Sequence, residues 1–186
     1  SGIKKAIVHL YNSTCPMHRD WDMNKSKKEK KEMAVHGAEK FQKDGEKHGI
    51  EKFRFQYSPE TFNATEIDFS LEICNAVIDI WKPTPERKHI INLPETVQYT
   101  TPNVYADQIE YMCNNLHDRE NIIVSLHTHN DRGTGIAASE LAIMAGADRV
   151  EGTLFGNGER TGNADLMVLA MNFYMQGMDP GLDFSN

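Results

Sequence analysis

Apolar and polar positions alternate along this chain in a repeating order. "KAIVHLY" (5–11) is short and rich in branched apolar residues, which predicts a strand. Residues 26–48 are highly charged, yet Met33, Ala34, Gly37, Ala38 and Phe41 recur at helical spacing. "KFRFQY" (52–57) predicts a second strand, followed by a helix from Glu66 to Ile80 with Phe69, Ile73, Val77 and Ile80 on one face. Pro83 and Pro85 in "KPTPE" end it, because proline cannot continue a helix. "HIINL" (89–93) is the third strand, and a helix over 104–116 follows, with Pro102 near its start. "NIIVSL" (121–126), the small-residue helix "TGIAASELAIMAGA", the strand "DRVEGTLF" (148–155) and the amphipathic "ADLMVLAMNFYM" complete the series.

The order is therefore β-α repeated five times, which implies parallel strands with helical crossovers. Three architectures satisfy it: an open doubly wound sheet, a (β/α)8 barrel, or part of such a barrel. A barrel needs eight strands and typically about 250 residues, whereas this chain has 186. No Gly-rich phosphate fingerprint follows the first strand, which weakens a dinucleotide-binding reading.

Composition narrows the class. A hydrophobic share of 39% and a charged share of 25% are those of a globular protein. The net charge of −7 opposes a nucleic-acid partner, so the run "KSKKEKKE" reads as a solvated helix face. No apolar run approaches the roughly 20 residues of a membrane span, and "SGIKKAIVHLYN" has no signal-peptide pattern. Cys15, Cys74 and Cys113 are too scattered for a disulfide framework or a metal knuckle. Reduced thiols in the cytoplasm are expected, with Cys74 and Cys113 in the core. The abrupt ends, including "GLDFSN", read as those of a piece of a longer protein.

The chemistry gathers at one end of each predicted strand. His9 and Asn12 end the first, Ser58 and Glu60 the second, and Asn92 and Thr96 the third. His127 and His129 end the fourth, while Asn157, Glu159 and Asn163 follow the fifth. Parallel α/β folds build active sites on that edge. Alternate strand residues face the same side, so both imidazoles of "HTH" can address one divalent metal. Asn163 is a third candidate ligand, carried on the Gly-rich loop "GNGERTGN". A carboxylate is missing; Asp131 and Glu140 are the nearest candidates, and neither is convincing.

Plainer roles compete for several of these residues. His9 can be an ordinary strand-end histidine, Glu60 a helix cap and Thr96 a turn residue. Arg132 can clamp Asp131, Glu140 or Glu159. Met167, Met171 and Met175 are expected in the core of the last helix.

"INLPETV", "TTPNVYADQ", "LHTHNDRGTG" and "GADRVEGTLFGNGERTGN" together resemble the 2-isopropylmalate synthases, within the metal-dependent Claisen-condensing (β/α)8 enzymes. Homocitrate and citramalate synthases and the acyl-CoA lyases are relatives of that group. The resemblance covers essentially the whole chain and implies strands four to eight of a barrel, with "VSLHTHNDRG" on the seventh. It implies condensation of acetyl-CoA with a 2-oxo acid, 2-oxoisovalerate, in leucine biosynthesis. A divalent metal (Mg, Mn or Zn) would be held by His127, His129 and Asn163. An Asp ligand and a catalytic Arg would come from a first barrel strand that this sequence does not contain. His9, Ser58 and Thr96 would contact substrate, and Glu60 and Glu159 would lie at the reacting centre. A homodimer is implied for the full-length enzyme. Two alternatives stand beside this reading: a related synthase or lyase, and a non-catalytic half-barrel scaffold that pairs through its open edges.

Overall fold

The structure, a computed structural model, describes residues 4–183, so the last three residues of "GLDFSN" lie outside it. Five strands alternate with five helices: β1 (Ala6–Ser13), α1 (Lys27–His48), β2 (Phe53–Glu60), α2 (Ile67–Trp81), β3 (His89–Glu95), α3 (Pro102–Asn115), β4 (Ile122–Thr128), α4 (Gly135–Met144), β5 (Arg149–Glu151) and α5 (Leu166–Met175). All neighbouring strands pair in parallel, and their spatial order β1-β2-β3-β4-β5 is the order of the chain. A doubly wound sheet would reverse direction at its switch point. This one never does, which is the winding of a barrel, here over five strands.

Local signals set the ends of two helices. Ser26 and Glu29 close a capping box at the start of α1, satisfying end donors reciprocally. Gly49, at φ +90°, ends it in the left-handed conformation that favours glycine. Proline occupies the first turn of α3, as expected. The core lies between the sheet's outer face and the helix layer. There Tyr57, Ile91, Leu93, Val124 and Leu126 meet Ile73, Val77, Trp81, Ile109 and Met112, all fully buried. The Trp81 indole also donates to the Ala38 carbonyl at 3.1 Å, tying α2 to α1.

Several expectations need correction. β5 ends at Glu151 rather than running to Phe155. A Cβ on Gly152 would come within 2.5 Å of the Ala164 carbonyl oxygen, so strand and following loop are pressed together there, and the chain turns into a short 3-10 segment. Met171 and Met175 are exposed, because no described element packs on the outer side of α5. Within the lysine-rich run, Lys30 is fully buried, its ammonium against the Met23 sulfur. All three cysteines are free thiols; Cys15 and Cys74 are buried, while Cys113 is only partly covered.

Candidate active site

The concave inner face of the sheet collects what the outer face excludes. Pairing sets Tyr11 beside Ser58, Asn92 beside Ser125, Pro94 beside His127 and His127 beside Glu151. At the C-terminal edge these residues open into a cavity of about 300 Å³. His9, Ser58, Glu60, Thr96, His127, His129, Glu159 and Asn163, the eight residues to which the resemblance gives a role, all line it. Tyr11, Asn92 and Pro94 complete the wall.

One side of the cavity is a hydrogen-bond chain. The Asn92 amide donates to Ser58 Oγ at 2.8 Å, and Ser58 Oγ lies 2.8 Å from His9 Nε2. With its oxygen already accepting from Asn92, the Ser58 hydroxyl has its proton free for the imidazole lone pair. Desolvation on the concave face pushes the His9 pKa below its ordinary value, although the Glu151 carboxylate opposes it. A neutral imidazole follows.

Glu60 is held by the Ser13 hydroxyl, which donates to Oε2 at 2.5 Å. It caps no helix: Glu66 occupies the position before α2. Thr96 ties two loops together rather than serving its own turn: its hydroxyl accepts the Thr61 amide N–H at 2.9 Å, and it also borders the cavity. Asn12 lies elsewhere, accepting from the Tyr57 hydroxyl and donating to the Lys30 carbonyl, and Asn157 is exposed outside the cavity wall.

Opposite stand the two strand histidines. Their rings are stacked at 5.3 Å between centroids, so alternation has brought them to one side. The loop after β5 folds back onto them. Asn163 bridges to His129, the Asn130 N–H donates to the Gly162 carbonyl, and the Ala164 N–H to the Thr128 carbonyl. Gly158 permits this closure, because a Cβ there would fall 1.9 Å from Asn163 Oδ1. The Asn163 amide thereby reaches 3.2 Å from His127 Nε2.

The corner suits a divalent cation. His129 is buried, and its Nδ1 has no hydrogen-bond partner. Burial, then the neighbouring His127 and Arg160, keep its pKa low and its imidazole neutral, the form that ligates. Rotating the Asn163 amide would set its oxygen beside His127 Nε2, two lone pairs that a cation between them would satisfy. Among the described residues no three His, Cys, Asp or Glu side chains form a metal-holding group, so this chain brings two imidazoles and an amide. Asp131 and Glu140 do not join them. Asp131 accepts from the Gln98 N–H and pairs with Arg160, and Glu140 accepts from Asn172. The clamp assigned to Arg132 falls to Arg160 instead, which reaches Asp131, Glu159 and the Thr96 carbonyl.

Sequence reasoning passed over Glu151, Arg149 and Gln56. Glu151 Oε2 lies 3.2 Å from His127 Nδ1, while Oε1 accepts from Gln56 Nε2 at 2.9 Å, from Ser125 at 3.3 Å and from Arg149. Burial raises the Glu151 pKa, but His127, Arg149 and Gln56 outweigh it and hold the carboxyl below its ordinary value. The alternation of "RVE" was the available signal, since it points two opposite charges to the barrel side.

A family model described as HMGL-like matches residues 2–186. The chain belongs to the HMGL-like family. Among its curated relatives it is 63% identical over 185 residues to the 2-isopropylmalate synthase of Acetoanaerobium sticklandii, and 61% identical to that of Pseudomonas entomophila. In both comparisons all of this chain is covered and 33% of the relative, so the chain spans about a third of the length of these synthases. Among solved HMGL-like folds, an HMG-CoA lyase from Acinetobacter baumannii, in complex with coenzyme A and 3-methylmalate, superposes with a TM-score of 0.70. At 19% identity, covering 95% of this chain and 56% of that one, this likeness speaks to the fold. The five strands are thus part of a TIM-type barrel. No described helix is long and apolar enough to cross a membrane.

Proposed function

We propose that this chain is the part of a 2-isopropylmalate synthase that supplies barrel strands four to eight. The whole enzyme would condense acetyl-CoA with 2-oxoisovalerate in the cytoplasm, for leucine biosynthesis, and act as a homodimer. The observation that carries this reading is the convergence of eight polar residues of five types, from all five βα units, on one cavity. Identity above 60% to synthases of that name over the whole chain supports the choice of substrates.

Each residue then has a task. His127, His129 and Asn163 would hold a divalent metal. When bound, that metal would polarise the 2-oxo carbonyl as a Lewis acid and orient the acid. His9, fed by the Asn92–Ser58 chain, offers a neutral imidazole edge to substrate, and Ser58 and Thr96 border the same space. Glu60 faces the cavity from β2 with Oε2 engaged by Ser13, which fixes the carboxylate for proton transfer at the acetyl methyl group. Glu159 projects from the loop beyond β5, tied to Arg160.

The test is a segment exchange. The matching third of the Acetoanaerobium sticklandii synthase is replaced by this chain, and coenzyme A release from acetyl-CoA is followed with a thiol reagent. Release that depends on 2-oxoisovalerate is expected, and it disappears in His127→Ala and His129→Ala variants. A folded chimera without turnover, or with turnover indifferent to both histidines, contradicts the proposal.

A further inference from the structure

We infer that Glu151 is a positioning residue that fixes the tautomer of His127. The inference rests on the metal reading above for its consequence, but its geometry stands alone. Glu151 is gripped from three strands. Gln56 of β2, Ser125 of β4 and Arg149 of β5 all donate to Oε1. Arg149 also donates to Gln56 Oε1, at 3.3 Å, which closes the network across the inside of the sheet. The carboxylate therefore cannot rotate away, and Oε2 is left facing His127 Nδ1 at 3.2 Å.

An ionised carboxylate only accepts hydrogen bonds. The proton of a neutral His127 is consequently held at Nδ1, and the lone pair stays on Nε2. That nitrogen is the one pointing into the cavity corner, 3.2 Å from the Asn163 amide. A histidine whose second nitrogen donates to a carboxylate is the arrangement that orients imidazole ligands in metal sites. Here the orienting group comes from the neighbouring strand, in direct register, since His127 pairs with Glu151.

Glu151→Gln separates this role from a merely structural one. The three donors at Oε1 require an oxygen there, so the glutamine would turn its NH2 toward His127 Nδ1. Shape and network survive, but Nδ1 now faces a donor and must give up its proton to Nε2. Nitrogen-15 NMR of the histidines in the 186-residue chain, at a pH where His127 is neutral, reads this directly. The Nδ1–H tautomer is expected in the native chain and Nε2–H in Glu151→Gln. A native Nε2–H tautomer, or a tautomer unmoved by the substitution, overturns the inference; the native spectrum decides even if the variant fails to fold.

In the chimeric synthase, Mn2+ affinity measured by calorimetry should fall roughly 10- to 100-fold in Glu151→Gln. Undiminished affinity overturns the coupling to the metal while leaving the metal reading intact. The expected tautomers in a native chimera that binds no Mn2+ would uphold Glu151 and defeat the metal reading.

Discussion

At the scale of single residues, Glu95 is a buried ionisable group whose protonation bears on stability. It ends β3 on the face away from the cavity, fully buried, with Oε2 accepting from Gln98 Nε2 and Oε1 unpartnered. Burial, reinforced by Asp131 and opposed by the Gln98 hydrogen bond, pushes its pKa up to about 7. The unfolded carboxyl ionises near 4.5, so the folded state favours the neutral form. Stability is therefore lost as pH rises from about 4.5 to about 7, and the full penalty, about 3 kcal/mol, stands above that range. Glu95→Gln should remove this slope. Urea unfolding at pH 5 and pH 8 checks it: the variant gains on the native chain toward pH 8, and parallel pH profiles would contradict the assignment. Nothing in the sequence marked Glu95, because a carboxylate at a strand end is ordinarily solvated. Its burial depends on the loops after β3 and β4 closing over it, where Gln98 Oε1 accepts the Arg132 N–H. The cavity residues were legible for the opposite reason: strand alternation and the C-terminal edge of a parallel sheet suffice to gather them.

Among elements, the helices separate according to what covers them. In α2, Phe69, Ile73 and Val77 are buried as the spacing predicts, Ile80 is only partly buried, and Trp81 takes the buried place one turn beyond Val77. In α5 the same kind of apolar pattern leaves Met171 47% and Met175 77% exposed, although they read from the sequence as core. Periodicity identifies an apolar face but not whether a neighbour exists to cover it. Ile73→Ala should cost about 2–5 kcal/mol by loss of packing and cavity formation, against less than about 0.5 kcal/mol for Met175→Ala. Chemical denaturation of both variants checks the contrast; equal losses would mean that α5 is covered in solution. The short β5 was missed because "DRVEGTLF" keeps a strand-like composition through Gly152, whereas its limit comes from the close approach of the Ala164 carbonyl.

For the whole molecule, winding is the informative property. The order of elements by itself admitted an open doubly wound sheet, a barrel or part of one; the resemblance pointed to part of a barrel, and the spatial order β1-β2-β3-β4-β5 agrees with that. The site has the same partial character. The metal corner proposed for it would draw on two imidazoles and an amide, with the Asp and Arg that the resemblance implies coming from elsewhere in the whole enzyme. The 186-residue chain alone should therefore release no coenzyme A from acetyl-CoA and 2-oxoisovalerate, and turnover comparable to a complete synthase would refute that. In the proposed function His127, His129 and Asn163 form one metal corner. Pulsed electron paramagnetic resonance of Mn2+ bound to the chimeric synthase tests it most directly, through the coupling of the metal to nitrogen. Coupling to two imidazole nitrogens is expected, reduced to one in His127→Ala; a spectrum of Mn2+ bound only through oxygen would rule the corner out.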